Sequence, residues 1–146
     1  MHSFSRTTNN PLLFDLMEEN SMWVNPKIAN EWDLKNGQEI WLKNQDGIVS
    51  NFPSKVRVTE RIRWDSIYVV HGFGHSNKNL KRSYGRGLSD QKLITNVMID
   101  PIMGGTGMRG NFVTFLTEEP TEPEKAKGNP YLNEKGSSMI VGREVE

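Results

Sequence analysis

Short strand-like runs separated by turn residues are the feature of this sequence that most restricts its fold. The residues Gln45-Asp46-Gly47 form a turn pattern between two such runs, which is typical of a β-hairpin. Val56 and Val58 alternate with charged residues, as expected of a half-buried strand. The predicted strands are 39–42, 48–52, 54–59, 67–70 and 111–116, and the run 67–70 is apolar enough to predict a buried strand.

One short helix is predicted among these strands. Asn25 is a good N-cap, and Pro26 then occupies the first helical position, where its missing N–H costs nothing. Residues 1–22 are polar and are expected to be irregular. Many short strands, one short helix and two long polar loops (71–91 and 95–111) favour a small β-barrel whose loops bind something.

Charge and cysteine content exclude several classes of function. The 146 residues suit one domain, and 18 Lys and Arg balance 18 Asp and Glu. A nucleic-acid partner is therefore not expected, because binding phosphates needs clustered positive charge. The chain has no Cys, so thiolate metal sites and Cys nucleophiles are excluded. We also find no Ser–His–Asp set, no paired carboxylates and no metal-ligand cluster, and predict no catalytic or metal-binding residue.

The segment from His71 to His75 directly follows the apolar run. Gly72 and Gly74 would allow close approach of the backbone to a ligand, and the two His could donate to a phosphate or a heterocycle edge. The two glycines argue against a helix that would pair the His as metal ligands. From the residues alone, a binding loop and a plain turn at the end of a strand both stay open.

Three further polar segments stay equally open. The Gly-rich loop 83–87 lacks the lysine and hydroxyl pair of a phosphate loop. Asn96 suits recognition of a heterocycle edge, whereas Asp100 before Pro101 is either part of a site or a turn former. The N-terminal tail concentrates hydrogen-bonding side chains, but such tails are usually only solvated.

The order of these segments resembles one family. Residues 25–29, 34–40 and 56–65, followed by His71 to His75, 96–101 and 111–113, resemble the molybdopterin dinucleotide-binding domain of the dimethyl-sulfoxide-reductase superfamily. The opening residues 2–11 also match the family's segment before the helix. The likeness covers residues 2 to about 116, and the Gly-Arg that usually precedes this segment in the family is absent.

This resemblance implies a mainly β fold, a double-psi β-barrel with short helices and long loops. It implies a barrel over residues 1–116, followed by a linker and C-terminal tail over 117–146. The barrel would bind bis-molybdopterin guanine dinucleotide, while other domains hold the molybdenum and an iron–sulfur cluster, so the isolated chain is expected to be inactive. The implied cofactor-binding residues are His2, Ser3, Arg6, Thr7, His71, Gly72, Phe73, Gly74, His75, Asn96, Asn111 and Phe112.

The loop His71 to His75 with Asp100 to Gly107 is most similar to the thiosulfate and polysulfide reductase branch, with arsenate and tetrathionate reductases as close competitors. The resemblance then implies anaerobic respiration in the periplasm, with molybdenum or tungsten as the metal. The implied partners are the remaining domains of the catalytic subunit, an iron–sulfur electron-transfer subunit and a membrane anchor subunit.

Two other classes of function remain open. A stand-alone double-psi barrel would act as a protein-interaction module, and it predicts a peptide-binding groove and no role for the His71 loop. A self-processing decarboxylase needs a Gly-Ser cleavage point, and Gly136-Ser137 is the one such pair in the chain.

Overall fold

A computed structural model describes residues 2, 4–95, 100–105 and 111–126 of the chain. A 3-10 turn at Phe4–Arg6 precedes the regular elements. The helices are α1 (Pro11–Phe14), α2 (Pro26–Glu31), α3 (Asp90–Leu93) and α4 (Glu122–Ala126). The strands are β1 (Ser21–Val24), β2 (Glu39–Asn44), β3 (Ser54–Val58), β4 (Ile67–Val69) and β5 (Val113–Leu116).

The five strands form one sheet in the order β4-β1-β3-β2-β5. β1 pairs in parallel with β3, with Met22 opposite Val56, and it pairs antiparallel with β4 on its other side. β2 pairs antiparallel with β3 through its first residues and with β5 through its last four. A parallel pair needs a long crossover connection. Here the connection from β1 to β3 contains α2 and β2.

The core lies on one face of this sheet. Side chains alternate between the two faces of a strand, so Met22 and Val24 of β1 point into the core and are fully buried. Ile40 and Leu42 of β2 do the same, with residual exposure of 0% and 1%. Helical and loop residues complete the cluster: Ala29, Leu34, Leu88 and Leu93.

Local signals in the sequence produce the predicted helix. The Asn25 side chain accepts a hydrogen bond from the backbone N–H of Lys27 at 3.0 Å, and Pro26 takes the first helical position. Asp33 adopts a positive φ of 48° where the chain leaves α2, a conformation that Asp tolerates better than most residues. The N-cap prediction is therefore confirmed.

The mainly β class with short helices is also confirmed, but the described sheet is open, with β4 and β5 at its edges. A closed double-psi barrel therefore stays a prediction. The strand predicted at 67–70 is present as β4. The prediction that it is buried was wrong, because β4 is an edge strand and Tyr68 is 46% exposed. The returning strand predicted over 48–52 is reduced to one bridge between Lys43 and Val49.

Residues 117–126, predicted as part of a linker, contain α4 and a buried Pro120. The Lys92 ammonium on α3 donates a hydrogen bond to the carbonyl of Lys125 on α4. Burial lowers the pKa of Lys92 below its usual value, because it disfavours the charged form. In the part of the chain that the structure describes, no helix has the length and apolar character needed to cross a membrane.

Candidate functional site

The N-terminal segment is held in place by His2. Its Nε2 lies 2.8 Å from the carbonyl oxygen of Met17, which can only accept, so Nε2 carries the proton. Its Nδ1 lies 3.4 Å from the hydroxyl of Thr7. Both ring nitrogens therefore have protein partners, so the His2 side chain is not simply solvated.

The loop from His71 to His75 packs directly on this segment. Phe73 is 4% exposed, and its ring meets the His2 ring edge-on with centroids 5.5 Å apart. His75 Nε2 lies 2.9 Å from the hydroxyl of Thr8, which itself donates to the carbonyl of Ser5. Because the hydroxyl proton of Thr8 is already used, His75 donates from Nε2. The fold thus unites two segments that are far apart in sequence.

Gly74 allows a close contact between the His71 loop and the protein's own backbone. Gly74 is buried at φ +74°, and a Cβ added there would lie 2.6 Å from the carbonyl carbon of Leu88 and 2.9 Å from Cα of Ser89. From the sequence, this glycine was expected to allow the close approach of a ligand. In the structure, the backbone that approaches Gly74 belongs to Leu88 and Ser89, directly before α3. Gly72 also has a positive φ, of 94°.

His71 is paired with a carboxylate that sequence reasoning missed. Its Nδ1 lies 2.8 and 3.0 Å from the two carboxylate oxygens of Asp90, the first residue of α3. Both side chains are partly exposed, at 37% for His71 and 27% for Asp90. The contact joins residues 19 positions apart, so a search for motifs within the loop had no signal for it.

Asn20 is the second residue that sequence reasoning missed. It is fully buried, and its amide donates to the carbonyls of Val70 at 2.8 Å and Leu88 at 3.0 Å. Its side-chain oxygen accepts from the backbone N–H of Leu88 at 3.0 Å. A polar residue beside Glu18 and Glu19 carries no signal of burial in the sequence, and only the packing of three segments around it creates one.

Asn111 and Phe112 belong to a different network. The side-chain oxygen of Asn111 accepts from the backbone N–H of Thr95 at 2.9 Å. The backbone N–H of Phe112 donates to the side-chain oxygen of Gln45 at 2.9 Å, and its carbonyl accepts from the backbone N–H of Gln45 at 3.1 Å. The hydroxyl of Thr95 donates to Asp46 and is fully buried. These contacts join both ends of the loop 95–111 to the turn after β2. Phe112 itself is 76% exposed.

The remaining predicted residues are Ser3, Asn96, Arg6 and Thr7. Ser3 and Asn96 lie outside the described residues, while Arg6 is exposed and Thr7 half-buried. The Asp100 carboxylate accepts from the backbone N–H of Ile102 and Met103, which is the turn-forming role considered for it. Among the described residues, no group of three or more His, Asp or Glu is arranged to hold a metal ion.

A cavity of about 590 Å³ lies beside the end of the His71 loop. Its walls include Ser76 and Tyr84 from the loop region, Trp41 and Phe52 from the β2–β3 region, and Lys92. The side-chain oxygen of Asn51, which also lines it, is buried without a hydrogen-bond partner in the described part of the chain. The cavity also has charged walls, which include Lys125 with Glu119 and Glu122, so aromatic rings and charged groups lie side by side in it.

The chain belongs to the family of the molydopterin dinucleotide binding domain, whose model matches residues 1–112. Membership assigns it a cofactor-binding role in a molybdoenzyme and confirms the family resemblance. The chain is also similar to the molybdopterin-containing subunit of thiosulfate reductase from Salmonella typhimurium, with 42% identity over 74 residues. That match covers 51% of this chain and 9% of the relative, so the chain corresponds to a small part of that protein.

The described residues fit such a cofactor chemically. A dinucleotide presents pyrophosphate oxygens and heterocycle edges, which call for cations and hydrogen-bonding groups on a fixed backbone. The exposed Arg6 and the half-buried Thr7 and His75 supply these groups on two segments that pack together. The edge-on His2–Phe73 contact holds the two segments together.

Proposed function

We propose that this chain is the domain that binds bis-molybdopterin guanine dinucleotide in an anaerobic respiratory oxidoreductase acting on thiosulfate or polysulfide. The observation that carries the proposal is the packing of the N-terminal segment against the His71 loop, at Phe73 and His75. Family membership and the similarity to a thiosulfate reductase subunit support it. The bound cofactor supplies the metal centre at which a sulfur–sulfur bond is reduced by two electrons.

In this proposal the chain's own residues bind and orient the cofactor. Arg6 provides a guanidinium for the pyrophosphates. The Thr7 hydroxyl and the His75 ring already donate within the protein, so they would accept hydrogen bonds from the N–H groups of the heterocycle edges. His2 and Phe73 fix the backbone of the two segments. The other proposed contact residues are Ser3, His71, Gly72, Gly74, Asn96, Asn111 and Phe112.

We further propose that residues 1–116 form a double-psi β-barrel and that 117–146 follow it as linker and tail. The parallel pair of β1 and β3, within an otherwise antiparallel sheet, supports a crossed topology over a simple meander. The remaining domains of the parent subunit would hold the metal and an iron–sulfur cluster. An iron–sulfur subunit and a membrane anchor subunit would be its partners, in the periplasm.

The first test is the reading frame upstream of Met1. We expect it to continue into segments with cysteines for an iron–sulfur cluster and with a ligand for molybdenum. A stop codon and a ribosome-binding site directly before Met1 would contradict the proposal.

The second test measures cofactor in the whole polypeptide, purified from anaerobic cells that make molybdopterin. Guanine nucleotide released by acid and molybdenum content are compared for wild type, Arg6→Ala and Arg63→Ala. A charge-assisted hydrogen bond contributes about 1.5–3 kcal/mol, so Arg6→Ala should lower affinity about 10-fold or more. Arg63 is an exposed arginine that pairs with Asp65, and its alanine variant should keep the wild-type content. Equal content in all three proteins would refute the role of Arg6.

One observation favours a second candidate, the protein-interaction module. A mostly apolar groove of about 410 Å³ lies along the outer face of β1 and β4, lined by Trp23, Tyr68 and Val70 with Arg61 and Ile62. Such a groove suits a peptide. Under this candidate, alanine at His71 and His75 leaves function intact, and the reading frame begins at Met1.

A further inference from the structure

The pair Asn36-Gly37 lies exposed in the connection between α2 and β2, and it is the one Asn-Gly pair in the chain. Asparagine is among the residues that heat damages chemically. A glycine after it carries no side chain that could shield the carboxamide. Gly37 has a φ of 85°, and a Cβ added to it would meet nothing within 4 Å. The pair is therefore open to solvent on the side of Gly37.

Hydrogen bonds to β3 hold both the Gly37 nitrogen and the Asn36 carboxamide. The Gly37 N–H donates to the carbonyl oxygen of Val56 at 2.7 Å, and the Asn36 side-chain oxygen accepts from the N–H of Val58 at 3.0 Å. The Val56 N–H donates in turn to the carbonyl oxygen of Gln38 at 2.9 Å. Three hydrogen bonds thus fix this turn on the central strand of the sheet.

We propose that Asn36 is a modification site that becomes aspartate or isoaspartate only when this turn opens away from β3. In the reaction, the Gly37 nitrogen loses its proton and bonds to Cγ of Asn36, while the bond from Cγ to Nδ2 breaks and ammonia leaves with that proton. Water then opens the five-membered succinimide ring. Cleavage between the Gly37 nitrogen and Cγ gives aspartate. Cleavage between that nitrogen and the main-chain carbonyl carbon gives isoaspartate, which adds one atom to the backbone.

Two effects of the native contacts on this reaction oppose each other. A donor on Oδ1 of Asn36 polarises Cγ and favours attack. The Gly37 nitrogen, however, cannot turn toward Cγ and lose its proton while its N–H donates to Val56. Attack therefore waits for local opening of the turn. The native chain should react about 100-fold more slowly than an unstructured peptide, which corresponds to about 1 kcal/mol for each of three hydrogen bonds.

The test measures the rate of conversion in the folded chain, kept in warm, mildly alkaline buffer. Trypsin cleavage after Lys35 and Lys43 releases residues 36–43, and chromatography with mass spectrometry separates the asparagine, aspartate and isoaspartate forms of this peptide. The reference is a synthetic peptide of residues 33–43 in the same buffer, which lacks β3. We expect the rate in the chain to be about 100-fold lower than in the peptide, and a rate within about 3-fold of the peptide's would overturn the proposal.

Two glutamine variants test the role of the turn itself. The Gln38 side-chain oxygen accepts from the N–H of Lys35 at 2.9 Å, across the turn. Gln38→Ala loses this hydrogen bond and should convert about 5-fold faster than wild type. Gln91→Ala, at an exposed position of α3, should convert at the wild-type rate. Equal rates in Gln38→Ala and wild type, or the same acceleration in both variants, would refute the protection assigned to the turn.

The two products should affect the fold differently. Aspartate keeps an oxygen that accepts from Val58, so Asn36→Asp should unfold at the wild-type temperature. Isoaspartate lengthens the turn, so Gly37 and Gln38 can no longer both bond to Val56, next to the β2–β3 pairing. An aged fraction with isoaspartate at residue 36 should unfold about 5 °C or more below Asn36→Asp. Equal unfolding temperatures would refute the effect assigned to isoaspartate.

Discussion

Replacing the buried Asn20 by alanine should destabilise the protein far more than the same change at an exposed asparagine. The side chain is fully buried and makes three hydrogen bonds to backbone groups, two of them to Leu88, which is itself fully buried. Each neutral hydrogen bond contributes about 1 kcal/mol net. The variant removes about 3 kcal/mol in this way, and buried Leu88 groups left without partners add about 1–2 kcal/mol.

We therefore expect Asn20→Ala to lower the free energy of unfolding by about 4–5 kcal/mol, a large part of the ~5–15 kcal/mol typical of a domain. Equilibrium unfolding in urea with linear extrapolation measures it. The matched control is Asn30→Ala in α2, whose side chain is exposed and whose replacement should change stability by less than about 0.5 kcal/mol. If Asn20→Ala also stays within about 0.5 kcal/mol of wild type, the stabilising role given to the three hydrogen bonds of Asn20 is wrong.

The remaining predictions concern Gly74, Thr95 and Lys92. Gly74→Ala combines a positive φ with a backbone clash and should cost about 3 kcal/mol or more, whereas Gly37→Ala has a positive φ in open space and should cost about 1 kcal/mol. Thermal unfolding compares the two variants. Equal losses of stability would show that the backbone clash at Gly74 does not contribute. Thr95→Val removes a buried hydroxyl and should cost about 2–3 kcal/mol, while Thr95→Ser, which keeps the hydroxyl, should cost clearly less. Lys92 has a lowered pKa in the folded state, so the unfolded chain binds more protons and stability rises with pH as it approaches 10.5. Between pH 8 and 10.5, the free energy of unfolding measured in urea should therefore rise for wild type relative to Lys92→Met. A difference between the two proteins that does not change with pH would contradict the effect of burial on the Lys92 ammonium.

Local structure followed from the sequence where neighbouring residues decide it. The cap at Asn25, the helix it begins and the turn after β2 were predicted correctly, because each depends on residues within a few positions. β1 was missed, although it is the strand between β4 and β3. It has only four residues, and the burial of Met22 and Val24 comes from strands on both sides that lie more than thirty residues away.

At the candidate site, too, the sequence predicted separate segments but not the contacts between them. The His71 loop and the N-terminal segment were both singled out from the sequence, but their contact was not, since Thr8 and His75 are 67 residues apart. Asp90 and Asn20 were missed because neither lies in a segment with a recognisable motif. Asn111 was predicted to contact the cofactor, and the structure adds a role in the protein, because its oxygen accepts from Thr95.

By itself, the sequence determined the family, the mainly β class and the local conformations, because these depend on the order of short motifs and on interactions between near neighbours. Only the tertiary structure decided which polar groups serve the protein and which can face a ligand. A hydrogen bond needs donor and acceptor within about 3 Å. For His71 with Asp90, and for Asn20 with Val70 and Leu88, folding alone brings residues from distant parts of the chain to that distance.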